Sequence, residues 1–283
     1  MEKIIYTATG CSRCKIAKKF MGERGITYQE FDIKGEGKDA FGQFYRNNRG
    51  AIFRGKEGVE FPVFFDGGSI RQGVGVVVAY LHAGTALDDF IGRSDLSHGW
   101  MDGVHVSGGD PSLGDSLILV LDFLKRNGLK LQMDTDGRNA SLLERLLQSG
   151  IGDRVIMEVK VPLATHSAAA GGVDPEEVKR TIALVAKFPE YRFITTIGPV
   201  VRGEKEPVEI GYITPEEIGE AARLIQEATG SPKQPYLLRS FDPQTSSDER
   251  LKSVEKLPAE ALFKYRSAAR KFQVTAEIEK PAS

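Results

Sequence analysis

The sequence is poor in cysteine, in long apolar runs and in net charge. Only two of its 283 residues are cysteine. No apolar run reaches the roughly 18 residues of a membrane-spanning helix, so we expect none. The 38 lysines and arginines are balanced by 39 acidic residues, which leaves no basic field to attract nucleic acid or an anionic membrane. The sequence therefore predicts a cytoplasmic protein without nucleic-acid or membrane partners.

What is present is the composition of an ordinary globular protein. Hydrophobic residues make up 41% of the chain, and 31 glycines come in addition. This is enough apolar surface to build real cores. The length predicts about two domains. We place a first domain at 1–84, a polar linker at 85–98 and a second domain at 99–283.

Apolar periodicity predicts an α/β fold class in both parts. The first 84 residues have the order β-α-β-α-β-β-α. In the second part, helices are predicted between strands at Val104–Ser107, Leu129–Met133, Arg154–Lys160, Arg192–Ile197 and Tyr236–Arg239. A last helix over Pro258–Phe272 precedes a short polar tail. Such alternation favours a parallel sheet, open or partly closed as a barrel.

Both cysteines lie in the motif CSRC, between the first strand and the first helix. A disulfide across so small a loop would constrain little, so we expect Cys11 and Cys14 to serve chemistry. The helix N-terminus stabilises a thiolate, and Arg13 adds positive charge. Redox exchange, half of a zinc site and two inert thiols are the alternatives. The four histidines are scattered without ligand spacing, so redox exchange is favoured.

The segment YTATGCSRCKIAKKFMGERG, with the later FP and FFDGGSIRQG, resembles the glutaredoxin family over residues 1–84. The resemblance implies a thioredoxin-like fold, with Cys11 as nucleophile, Cys14 as resolving thiol and Pro62 in a cis peptide bond. It assigns substrate binding to Arg13, Phe61, Pro62, Arg71 and Gly73. The chain would then be a thiol–disulfide oxidoreductase acting on a protein disulfide or a glutathione mixed disulfide. It would require no cofactor, with glutathione as candidate reductant.

Polar groups stand at the ends of the strands predicted in the second part. SGGDP follows the first of these strands, and DTDG follows the next. Glu158 and Lys160 share a face of the third strand because strand side chains alternate. Thr195, Thr196 and Arg239 end the last two strands. In parallel α/β folds the carboxyl ends of strands meet at one mouth, where ligands bind, although glycine and aspartate are also ordinary turn residues.

These motifs resemble a radical S-adenosylmethionine (SAM) activase domain over residues 99–240, in particular the activating proteins of anaerobic ribonucleotide reductases. The resemblance implies a partial (β/α) TIM-type barrel. The positions that would contact SAM are Ser107, Gly108, Gly109, Asp110, Asp134 and Lys160. The family's CxxxCxxC loop holds a four-iron four-sulfur cluster, and no cysteine follows Cys14 here. We therefore expect no metal site, no part for SAM or a cluster, and a degenerate domain that docks a partner or binds a ligand.

A radical enzyme of the ribonucleotide-reductase type is a candidate partner for this domain. Two further hypotheses stay open beside the oxidoreductase. In one, the chain is an accessory or sensor protein that binds SAM or a nucleotide. In the other, it is a radical SAM activase whose cluster is supplied from elsewhere. Of the three, the sequence favours the oxidoreductase.

Overall fold

The structure is a computed structural model that describes residues 3–56, 58–97, 99–161, 174–202, 209–246 and 248–280. The chain forms two compact units, Met1–Gln132 and Met133–Ser283. The two domains that the sequence predicts, with a linker at 85–98, remain a prediction.

The first unit opens with alternating strands and helices. The elements are β1 (Ile4–Thr7), α1 (Ser12–Glu23), β2 (Gln29–Asp32), α2 (Lys38–Asn47), β3 (Arg54–Gly55), β4 (Gly58–Val59), β5 (Val63–Phe65), β6 (Ile70–Gln72) and α3 (Val74–Ala83). A four-stranded sheet has the order β2-β1-β5-β6. In it β1 pairs parallel with β2 and antiparallel with β5, and β5 pairs antiparallel with β6. The short strands β3 and β4 form a separate hairpin.

The core of this part follows from the spacing of its apolar residues. In α1 the buried positions include Ala17 and Met21, one turn apart, so both face the sheet. They pack with Ile5, Phe64 and Val77, all fully buried. The sheet and the helix therefore fix the direction in which the loop between β1 and α1 projects.

The remainder of the first unit contains β7 (Trp100–His105), a short 3-10 turn at Pro111–Leu113, and α4 (Gly114–Arg126). Helix α4 packs against α3. The preceding segment is well packed, since Leu87 and Phe90 are buried. The Gly92 N–H also donates to the Gly103 carbonyl at 2.8 Å.

Strand β7 ends earlier than the predicted strand Val104–Ser107. The Gly108 N–H donates to the His105 carbonyl at 2.9 Å and closes a turn there. Val106 and Ser107 therefore belong to this turn. The whole SGGDP motif therefore lies after the strand, and Ser107 is not part of that strand.

Strand β8 (Lys130–Thr135) leads into the second unit. The elements after it are α5 (Ala140–Gln148), β9 (Arg154–Glu158), α6 (Pro175–Val185), β10 (Glu190–Ile197), β11 (Pro199–Arg202), β12 (Glu209–Tyr212), α7 (Pro215–Thr229), β13 (Tyr236–Ser240), α8 (Glu249–Lys252), α9 (Leu262–Ala269) and β14 (Glu277–Ile278). A six-stranded sheet has the order β14-β13-β10-β9-β8-β7, and the pairings of β9, β10, β13 and β14 are parallel. This confirms the predicted α/β fold with a parallel sheet.

The two faces of this sheet differ within the second unit. Met157, Phe193 and Leu238 are fully buried, and α6 and α9 contact strands β9 and β13. The alternate residues Thr196 and Arg239 are half-buried or exposed. Because strand side chains alternate, Glu158, Thr196 and Arg239 lie on the second face, whereas Thr195 is buried on the first face with Phe193.

Two features of the second unit were not predicted. The sequence predicts a polar tail after the last helix, whereas β14 adds a sixth strand beside β13. Strands β11 and β12 form an antiparallel hairpin. The two residues of β14 are too few to show any periodicity.

Candidate functional sites

The two cysteines lie where the sequence places them, between β1 and α1. Cys11 caps the helix, and its sulfur accepts a hydrogen bond from the Cys14 N–H at 3.1 Å. The two sulfurs are joined as a disulfide. Cys14 is 2% exposed, and Cys11 is half-buried. The Phe61–Pro62 peptide bond is cis, and the Phe61 carbonyl lies 3.9 Å from Cys11 Sγ.

Arg13 is held by a set of contacts inside the first unit. Its guanidinium forms an ion pair with Glu60 and donates to the carbonyls of Leu96 and Trp100, the latter at 2.6 Å. Its side chain is only 13% exposed. Burial raises the pKa of Glu60 above its usual range, and the nearby Arg13 offsets only part of that rise. The geometry gives Arg13 a structural role, attaching the CSRC loop to the residues that lead into β7.

Arg71 and Gly73, two further predicted substrate-binding residues, also have structural contacts. Arg71 donates to both carboxylate oxygens of Asp88, at 3.0 and 3.1 Å, and its guanidinium lies 4.4 Å from the centre of the Tyr80 ring. Gly73 has φ +89°, and a Cβ there would come within 3.3 Å of the Glu60 carboxylate. Glycine at 73 is thus explained by backbone conformation and close packing.

The SGGDP motif forms the loop after β7. Ser107 is buried, whereas Gly108 and Asp110 are exposed. A Cβ at Gly108 would overlap the Asp89 carbonyl, and one at Gly109 would overlap the Phe90 ring. The two glycines therefore let the loop lie directly on the segment that contains Leu87 and Phe90.

Asp110 presents a negative charge at the end of this loop. Its carboxylate accepts a hydrogen bond from the Ser112 N–H at 2.8 Å and caps the turn that follows. This hydrogen bond lowers the pKa of Asp110, so the carboxylate stays ionised well below neutral pH. An exposed anion beside exposed backbone can accept an ammonium group.

In the second unit, Lys160 forms an ion pair with Asp136, with 2.9 Å between Nζ and Oδ2. Arg138 also binds this carboxylate, through Nε at 3.0 Å and Nη2 at 2.9 Å. Asp134 lies two residues earlier on β8 and is half-buried. Asp134 is the acid of DTDG that the sequence predicts as a site residue, whereas the carboxylate that binds both Lys160 and Arg138 is that of Asp136. The sequence could have indicated Asp136 as well, because both acids belong to the motif DTDG.

The polar ends of β9, β10 and β13 are neighbours, as predicted. Thr196 donates to the Glu158 carboxylate at 2.8 Å. Arg239 lies directly opposite Thr196 in the pairing of β10 and β13. Glu279 binds Arg239 through two hydrogen bonds, at 2.7 and 3.1 Å, and these raise the pKa of Arg239, to which Glu158 also contributes. This edge of the sheet therefore carries a row of paired charges.

Across the residues that the structure describes, no three His, Cys, Asp or Glu side chains are grouped so that they could hold a metal ion. Nor does any helix in those ranges have the length and apolarity needed to cross a membrane.

Polar loops at the ends of parallel strands define an α/β protein with a candidate ligand site, and no protein-family model matches its sequence. The chain is similar to a putative glycyl-radical enzyme activating enzyme of Methanocaldococcus jannaschii, with 25% identity over 170 residues. The match covers 57% of this chain and 63% of the relative, so it spans less than two thirds of that protein. It supports a relationship of the radical SAM kind.

This relative overturns the expectation of a glutaredoxin-like thiol–disulfide oxidoreductase. The CSRC motif led to that error because a dithiol at a helix N-terminus indicates reactive sulfur without showing which reaction the whole chain serves. The relative also overturns the expectation that no cofactor is required and that SAM and a cluster take no part. Radical SAM activating enzymes depend on both.

Proposed function

We propose that this chain acts in the activation of a radical enzyme and that it binds SAM. The observation that carries the proposal is the similarity to a putative glycyl-radical enzyme activating enzyme. A radical enzyme, of the ribonucleotide-reductase type or another, is the partner that this function implies. The finer fold assignment, a thioredoxin-like first domain and a partial TIM-type barrel, belongs to the same proposal.

The residues of the SGGDP loop fit SAM. Its methionyl part carries an ammonium group, which the ionised Asp110 can bind. Gly108 is exposed, so a ligand can reach the backbone beside Asp110. We assign Ser107, Gly108, Gly109 and Asp110 to the methionyl part. Asp134 and Lys160 are proposed as further SAM contacts.

The cysteines of this chain do not fit the cluster. The radical SAM cluster takes three cysteinyl thiolates, whereas these 283 residues contain two, joined to each other as a disulfide. A cluster that serves this chain therefore needs ligands from outside these residues. We assign no chemical step through the cluster to the residues of this chain.

Calorimetric titration with SAM tests the proposal. We expect saturable binding, and we expect Asp110→Asn to weaken it about tenfold, because a charged hydrogen bond to the ligand is lost. Asp122→Asn is the matched control. Asp122 is an acidic residue on α4 that pairs with Arg126 four residues on.

The control should bind SAM like the wild type. The proposal fails if SAM at millimolar concentration gives no binding heat. It fails equally if Asp110→Asn and Asp122→Asn cannot be told apart.

A further inference from the structure

The second unit contains a cavity of about 950 Å³ at the carboxyl end of β13. Its lining includes Leu262, Phe263 and Arg266 of α9, residues of β14, and the segment around Lys256. Its size is within the range, roughly 300–1,000 Å³, that small-molecule sites occupy.

The walls are fixed by hydrogen bonds within the second unit. Tyr265 on α9 donates to the Ile213 carbonyl at 2.9 Å. Tyr212 donates to the Glu255 carbonyl at 2.8 Å, beside Lys256. The Glu279 N–H donates to the Leu238 carbonyl at 2.8 Å and holds the end of β14 against β13. The cavity is therefore preformed.

Cationic side chains outnumber acidic ones in its lining, five to three. The cations are Arg239, Lys256, Arg266, Arg270 and Lys280. Arg239 is already bound by Glu279, and Arg270 donates to the Ala276 carbonyl at 2.9 Å. In the described part of the chain, Lys256, Arg266 and Lys280 have no ion pair with a carboxylate. Three cations are thus available to an anion in this cavity.

The cavity also offers an aromatic face. Phe263 is 51% exposed, which is high for so large an apolar side chain. The Arg266 guanidinium lies over its ring, 5.0 Å from the centroid. An exposed ring beside cations suits a flat group that carries negative charge, because the ring stacks on it and the cations bind its anionic part.

We propose that this cavity binds a nucleoside phosphate, with the base stacked on Phe263 and the phosphates held by Lys256, Arg266 and Lys280. The inference goes beyond SAM binding, since it concerns other residues and a ligand of opposite charge. SAM carries two positive groups, a sulfonium and an ammonium, and one carboxylate. Its net charge is therefore positive, and a cationic cavity disfavours it. A nucleoside triphosphate carries several negative charges and is favoured there.

Fluorescence titration of the full chain with an N-methylanthraniloyl derivative of ATP tests the inference, with unlabelled ATP as competitor. We expect saturable binding that ATP reverses and that Phe263→Ala weakens about tenfold through the lost stacking. The double variant Lys256→Gln/Lys280→Gln should weaken ATP more than adenosine. The matched controls are Lys271→Gln, an exposed lysine outside the cavity lining, and Phe53→Ala, a phenylalanine with 48% exposure in the first unit. Both should bind as the wild type does.

Three outcomes overturn the inference. They are no ATP-reversible binding, binding that the cavity variants leave at control level, and displacement by tripolyphosphate as effective as that by ATP. Asp110→Asn should leave ATP binding unchanged, and SAM should not displace the probe. Loss of ATP binding and loss of SAM binding are therefore separate results, and each bears on its own proposal.

Discussion

At the scale of single residues, Arg13 shows what a sequence motif leaves open. An arginine between the two cysteines predicts a positive charge beside the CSRC sulfurs, and Arg13 does lie in that loop. Its partners could not be predicted, because Glu60, Leu96 and Trp100 lie 47 to 87 residues away in the chain. The partner of Lys160 could not be predicted either, since only the fold shows that it pairs with Asp136 of DTDG.

The Arg13–Glu60 pair leads to a prediction about pH. Burial raises the pKa of Glu60 in the folded protein above its ordinary value of 4.5. At pH values between 4.5 and the raised pKa, the folded state therefore holds more protons than the unfolded state. The free energy of unfolding of the wild type should therefore fall as pH rises through this window, by about 1.4 kcal/mol for each unit of pKa shift. Glu60→Gln cannot titrate and should lack this slope.

Urea unfolding of both proteins from pH 4 to pH 8 measures the effect. The stability of Glu60→Gln relative to the wild type should rise with pH and then level off. Glu23→Gln, which makes the same change at a half-exposed site on α1, is the control and should show no such trend. Parallel curves for Glu60→Gln and the wild type would contradict the prediction.

At the scale of elements, the sequence predicts long periodic segments and fails on short ones. Helices α4, α5, α6 and α7 and the central strands lie close to their predicted places, because each shows a full apolar period. The β3–β4 hairpin and β14 have strands of only two residues, which is too short to show a period, and β14 exists through pairing with β13, where Glu277 lies opposite the distant Leu237. Pairing at that distance leaves no local pattern.

Helix α7 illustrates a start signal that is local and therefore testable. Thr214 accepts a hydrogen bond from the Glu217 N–H at 3.3 Å, and the Glu217 carboxylate accepts one from the Thr214 N–H at 2.7 Å. Thr214→Ala should remove half of this capping box and lower the free energy of unfolding by about 1 kcal/mol. Thr214→Ser keeps the hydroxyl and should retain most of the stability. Equal losses for the two variants in chemical denaturation would show that the hydroxyl is not the stabilising group.

At the scale of the whole molecule, the sequence predicts the α/β class and the location of the polar strand ends, but it predicted the wrong activity. Both families it resembles are α/β proteins, so either one leads to the right fold class. Their activities differ, and the CSRC motif was given more weight than SGGDP and DTDG. The similarity to a putative glycyl-radical enzyme activating enzyme, over 57% of the chain, favours the radical SAM resemblance over the glutaredoxin one.

The segment 85–98, between the two predicted domains, can be tested for accessibility to a protease. The sequence predicts a linker at 85–98, yet Leu87 is 1% exposed and Phe90 is fully buried. A protease needs an extended, accessible backbone, so we expect limited proteolysis of the native protein to leave 85–97 intact.

Phe90→Ala should remove the contact with Gly109, cost about 3–5 kcal/mol of stability, and make this segment the first to be cut. Phe263→Ala removes an exposed ring in the second unit instead and should keep the wild-type cleavage pattern. Mass spectrometry of the fragments identifies the sites. A wild-type fragment that begins between residues 85 and 99 would show that the segment opens as a linker.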